Sequence, residues 1–177
     1  PYASIEANTT HHLVADLEKL RVARGIDRWA VAGGSWGSFL SLAYAQAHAD
    51  RVRALLLRGI FTGRTVERIW WWDDGTRWLF PDRWQALRDF LPEGKRDTLL
   101  KSYYRRLCDP DPAVHLPAAV NPRTYSGWTK ACCATEEHVR NLATPEKSLT
   151  LARIFTHYCM NAFFVAEGAL LANVGAM

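Results

Sequence analysis

The chain has 177 residues, 49% hydrophobic and 23% charged, the balance of an ordinary globular protein of about one domain. That composition excludes a disordered tail, a collagen-like repeat and a disulfide-packed miniprotein. The net charge of +4 is evenly spread, with 7 Lys/Arg against 5 Asp/Glu in residues 1–60 and 15 against 13 in residues 61–177, so no basic block points to nucleic acid.

From the N-terminus, Asn8-Thr9-Thr10 precedes Leu13, Val14, Leu17, Leu20 and Val22, a helical spacing with Asp16 and Glu18 on the expected outer face. The Asn/Thr cluster supplies the N-cap and Gly25 the C-terminal stop. The apolar run at 29–32 is expected to be a strand buried on both faces. A glycine-rich turn, Gly33-Gly34-Ser35-Trp36-Gly37, follows. Phe39, Leu40, Leu42, Ala43 and Ala47 then carry helical periodicity to Asp50, and 52–57 is a second buried strand ending at Gly59.

Helix, strand, tight turn, helix, strand is the order of a parallel α/β sheet. Gly33-x-Ser35-x-Gly37 has the spacing of a nucleophile elbow, in which a serine sits on a strained strand-to-helix turn. Small residues are needed on both sides because side chains at Gly33 and Gly37 are expected to collide with neighbouring backbone. The helix that follows would aim its N-terminus at the site, so the Trp36 backbone N–H can donate to an oxyanion. The plainer alternative is a turn in which Ser35 merely caps the next helix.

The stretches NTTHHLVADLEKLR, GGSWGSFLSLAYAQAHADRV, LLLRGIF and LFPDRW resemble the prolyl aminopeptidase (proline iminopeptidase) family of α/β-hydrolases, closely over roughly residues 1–90. The resemblance implies a partial parallel sheet flanked by helices over residues 1–61 and a helical cap insertion over 62–177, with the core resuming after 177. It further implies release of N-terminal proline from peptides by a serine nucleophile, with neither metal nor organic cofactor.

Residues 62–177 read as helices and loops. Helical segments are expected at 83–91, 96–107 and 146–165, separated by turns at Pro92, Pro110, Pro112, Pro117, Pro122 and Pro145. Trp70, Trp71 and Trp72, with Trp78 and Trp84, are candidates to line an apolar pocket for a proline ring, or to pack cap against core. The resemblance also implies glutamates, to hold a substrate's free amine, at the positions occupied by Thr129 and Phe155. With both replaced, Glu136, Glu137 or Glu167 would have to substitute, and an ester or another small amide becomes a credible substrate.

A serine nucleophile needs a histidine base and an orienting carboxylate, which in this fold follow it in chain order. Downstream lie His48, His115, His138 and His157, each set in helical or Pro-rich sequence rather than after a later strand. The pair His11-His12 precedes the serine. The base and the acid are therefore expected beyond Met177. The chain opens on Pro1 and closes on the apolar LLANVGAM, as an internal piece of a longer protein would. A sheet so short would expose apolar edges, and the piece alone is expected to fold poorly and to lack efficient catalysis. A non-catalytic binding module is the alternative from another class.

Cys108, Cys132, Cys133 and Cys159 show no metal-ligand spacing and are expected to be reduced thiols of a cytoplasmic protein. No apolar run has the length of a membrane span, and no basic-then-apolar leader is visible.

Overall fold

The computed structural model describes residues 2–130 and 133–177, so Cys132 lies outside the described residues. Its contacts divide the chain into two compact units: Glu6–Glu67 with Ala162–Met177, and Arg68–Asn161 with the N-terminal segment up to Ile5.

The first unit holds helix α1 (Thr10–Ala23), strand β1 (Trp29–Gly34), helix α2 (Trp36–Ala47) and strand β2 (Val52–Arg58). Thr9 caps α1, its Oγ1 accepting from the His12 N–H. Gly25 adopts φ 64° just past the helix end, which lets the Gly25 and Ile26 amides reach back to the carbonyls of Val22 and Arg21. Glu18 does not face outward as its spacing suggests. Its carboxylate accepts from the buried Arg21 and from the Tyr44 hydroxyl, while Arg21 also donates to the carbonyls of Ile26 and Asp27. One guanidinium thus staples α1 to the turn that follows it. The hydrogen bond from Arg21 holds the Glu18 carboxyl far below the ordinary carboxylate range, at about 2.

β1 and β2 pair in parallel, with Val31 opposite Leu55, Ala32 opposite Leu56 and Gly33 opposite Leu57. Among the described residues they form a sheet of two strands. The expectation that both strands are buried on both faces is corrected. Helix α2 packs on one face, whereas Ala30, Ala32 and Ala54 are exposed on the other and Leu56 keeps 74% of its surface in solvent. A strand of apolar composition is buried on both faces only where something covers both, and here one layer of helix is present.

After β2 the chain enters helix α3 (Thr65–Ile69), in which the divide between the units falls. Two carboxylates fasten its approach. Glu67 accepts from the amides of Thr62 and Arg64, and Glu167 from the amide and hydroxyl of Thr65. The C-terminal residues join the same unit through an unusual turn, Ala162, Phe163 and Phe164, with φ of 46°, 55° and 58°. Phe163 is buried against Phe39 and Phe61, with ring centroids 5.5 and 5.0 Å away, and its carbonyl accepts from the buried Thr10 hydroxyl.

The second unit is helical. A π-helical turn at Trp70–Asp74 leads to α4 (Thr76–Leu79), α5 (Pro81–Asp89), α6 (Leu99–Leu107), α7 (Pro112–Thr129), α8 (Glu136–Leu142) and α9 (Pro145–Met160). Three of these match the expected segments, with α9 stopping at Met160 rather than at 165. Helix α7 corrects the sequence reading, which took Pro117 and Pro122 as turn markers. Both prolines lie inside α7. A proline in a helix interior costs about 3 kcal/mol in isolation. Here His115, Ala118, Ala119, Pro122, Tyr125 and Ser126 form one buried helical face, and packing against α9 outweighs the lost backbone bonds. Pro112 and Pro145 occupy first-turn positions, where the missing N–H costs nothing. No single helix among the described residues is long and apolar enough to cross a membrane.

Candidate active site

The turn between β1 and α2 has the backbone that its sequence motif demands. Ser35 adopts φ 54° and ψ −124°, a conformation outside the basins that L-residues ordinarily occupy. Ser35 stands at the N-cap position of α2, but it is exposed and its side chain makes no capping hydrogen bond. The strain is held from both sides. The Ser35 N–H donates to the Arg58 carbonyl at the end of β2 (2.9 Å), and its carbonyl accepts from the Ser38 N–H (2.9 Å) and Oγ (2.6 Å). Trp36 opens α2, so its N–H belongs to the helix terminus where backbone donors and the dipole favour negative charge.

The glycines do not share one job. A Cβ at Gly33 would land on the Gly37 carbonyl oxygen and on Ser41 Oγ, so β1 could not approach α2 with any larger residue there. At Gly37 a Cβ would meet nothing within 4 Å, which corrects the expectation that both flanking glycines avoid a collision. Gly34 faces the Arg58 guanidinium, a flexible neighbour that can move aside. Sequence reasoning overlooked Ser38, although the residue one turn beyond the nucleophile is the natural place for a side chain to reach back to the strained carbonyl.

The tryptophan triplet is split among three environments within the helical unit. Trp70 is 54% exposed, with Gly75 tucked beneath its ring. Trp72 is buried, stacked on Phe155 at 6.0 Å and tilted against Tyr103. Trp71 is half-buried and meets Trp72, Tyr125 and Phe155 edge to face. Trp78 is mostly exposed beneath the Arg77 guanidinium, and the Trp84 indole donates to the Trp72 carbonyl. Phe155 is therefore part of an aromatic cluster, while Thr129 Oγ1 turns back to the Tyr125 carbonyl. Of the acids named as substitutes, Glu167 is engaged by Thr65, and Glu136 and Glu137 sit exposed on the first turn of α8.

The histidines are dispersed. His48 ends α2 against Tyr44, thirteen residues and therefore about 20 Å of helix from Ser35. His115 is buried with Nδ1 on the Asp109 carbonyl, His138 lies exposed in α8, and His157 is buried in α9. Cys108 and Cys133 are exposed free thiols, and Cys159 is a buried one whose pKa is pushed up to about 12 by burial. Among the described residues no group of three or more His, Cys, Asp or Glu could hold a metal ion.

Comparison with known proteins agrees with this geometry. The profile of the alpha/beta hydrolase fold matches residues 2–132. Over 98% of its length the chain is 42% identical to a probable proline iminopeptidase of Leptolyngbya boryana and 43% identical to the proline iminopeptidase of Xylella fastidiosa (strain 9a5c). It is 41% identical to the proline iminopeptidase of Arabidopsis thaliana over the same share. The chain covers 54%, 56% and 46% of these three proteins, so it spans about half the length of the curated relatives it matches. With the strained serine turn, the parallel strand pair and the matched profile together, the chain belongs to the alpha/beta hydrolase fold family.

Proposed function

We propose that the chain carries the nucleophile of a serine hydrolase that releases N-terminal proline from peptides. Ser35 attacks the scissile carbonyl, and the Trp36 N–H takes up charge as the oxyanion forms. The observation that carries this reading is the exposed Ser35 on a backbone of φ 54°, anchored on both sides by its main chain while its side chain makes no capping hydrogen bond. The names of the relatives support proline as the residue released. The helical unit Arg68–Asn161 serves in this proposal as the cap, with Trp70 and Trp71 offering apolar surface for a substrate, whereas Trp72, which the sequence also offered as a pocket residue, is buried and offers none. The proposal assigns no base within the 177 residues. A reducing, cytoplasmic setting belongs to the same reading, supported by the free thiols Cys108, Cys133 and Cys159.

A specific observation favours a second substrate class. Phe155 is spent on the aromatic cluster and Thr129 on a backbone carbonyl, so neither offers charge to a substrate amine. A small ester or amide without a free amine fits that surface as well as a proline peptide does.

The test is covalent. The natural gene product is expected to be labelled stoichiometrically at Ser35 by a fluorophosphonate and to hydrolyse L-proline p-nitroanilide, and Ser35→Ala is expected to abolish both. Hydrolysis that survives the substitution, or a wild-type protein that ignores the probe, overturns the assignment.

A further inference from the structure

The loop that leaves β2 is tied to the elbow by one hydroxyl. Ser38 is fully buried on the first turn of α2. Its Oγ donates to the Ser35 carbonyl (2.6 Å) and accepts from the Phe61 N–H (2.9 Å). The Phe61 amide is itself a fixed donor. Its ring lies 6.0 Å from Phe39 and 5.0 Å from Phe163, and both of those rings are buried. Two residues on, Gly63 takes φ 76° and lets the loop pass the Phe39 ring, which a Cβ would approach to 2.6 Å. Backbone strain of this kind persists only where its surroundings over-determine it. Here the chain is Phe163 and Phe39 holding Phe61, Phe61 holding the Ser38 hydroxyl, and that hydroxyl holding the Ser35 carbonyl.

We propose that Ser38 is a positioning residue for the Ser35 hydroxyl, a role that rests on Ser35 being the nucleophile. Without its Oγ, the part-buried Phe61 amide loses its acceptor and the Ser35 carbonyl keeps only a helical N–H. The Arg58 carbonyl still holds the Ser35 N–H, but the carbonyl side of the turn has lost its side-chain anchor, and Ser35 can relax toward the first turn of α2, swinging its side chain away from the attacking position. The loss falls on turnover, because the displaced atom is the one that attacks and no substrate-binding surface has changed.

The experiment compares Ser38→Ala with the equal-shaped pair Ser38→Thr and Ser38→Val in the natural gene product. It reads the rate of fluorophosphonate labelling at Ser35 by intact mass, and kcat and KM on L-proline p-nitroanilide. Alanine and valine are expected to slow labelling and kcat by about tenfold, the cost of one lost hydrogen bond with a stranded partner, with KM unchanged. Threonine, which restores the oxygen, is expected to recover most of the rate. If alanine does not fold, the threonine–valine pair decides by itself. Folded alanine or valine variants that label at the wild-type rate overturn the role, as does equal impairment of threonine and valine. Ser35→Ala separates the two readings. Labelling that survives it defeats the nucleophile assignment, whereas labelling that depends on Ser35 but ignores Ser38 defeats only the positioning role.

Discussion

Gly33→Ala is the sharpest test of the elbow geometry, because the obstacle is backbone. The added methyl would sit 2.5 Å from the Gly37 carbonyl carbon, closer still to its oxygen, and on top of Ser41 Oγ. No rotamer change removes a carbonyl, so α2 must lift from β1. Overpacking of this kind costs about 1–3 kcal/mol. The same methyl displaces the Ser41 Oγ–Gly37 O hydrogen bond of 2.7 Å, adding about 1 kcal/mol. A total of about 3 kcal/mol corresponds to a fall in Tm of roughly 6–12 °C for a chain of this size. Gly37→Ala is the internal control. It adds a methyl to open space inside a helix, where alanine is favoured over glycine by up to about 1 kcal/mol, so its Tm should hold or rise. Thermal unfolding followed by circular dichroism measures both. A Gly33→Ala protein melting within about 2 °C of wild type, or a Gly37→Ala protein falling as far as Gly33→Ala, would refute the reasoning.

Two further outcomes are expected. The Glu18 carboxyl is depressed to about 2 by Arg21, so its contribution is complete above the ordinary value near 4.5 and is lost as the pH falls from there toward 2. Urea unfolding midpoints should drop across that window in the wild type and flatten in Glu18→Gln, which should also be less stable at neutral pH because the buried Arg21 has lost its anion; an unchanged acid limb would disprove the linkage. On the substrate side, the two readings part at the amine: release of N-terminal proline predicts a strong preference for free proline p-nitroanilide over its N-acetyl form, whereas the ester or amide reading predicts kcat/KM values that agree within about tenfold. A strong wild-type preference for the free amine would show that another acid anchors it.

What could be read from the chain in advance follows from how local each feature is. The elbow, α1, both strands and α2 are written in short-range signals: a cap at Thr9, a stop at Gly25, the Gly-x-Ser-x-Gly spacing. Helix α7 was illegible because proline is a local breaker and the compensation is not local. Its buried face pairs with α9, thirty residues away in sequence, and only that contact reverses the meaning of Pro117 and Pro122. Glu18 misled for a similar reason. Its position on the helix wheel says solvent, but Tyr44, 26 residues on, and the buried Arg21 draw it inward. At the candidate site, Ser35 and Gly33 were legible from spacing. The idle space at Gly37 and the hydroxyl bridge of Ser38 were not, since both depend on where the loop after β2 comes to rest.

The turn at Ala162–Phe164 has a consequence for chemistry done on the protein. Three successive L-residues there trace a path of the opposite hand, at a penalty of about 1–2 kcal/mol each. Phe163 is compensated by its buried ring, whereas Ala162 is exposed and offers only a methyl. Position 162 is thus a place where the mirror-image amino acid is the better fit. A semisynthetic protein carrying D-alanine at that single position, assembled by ligation, should be the more stable of the pair.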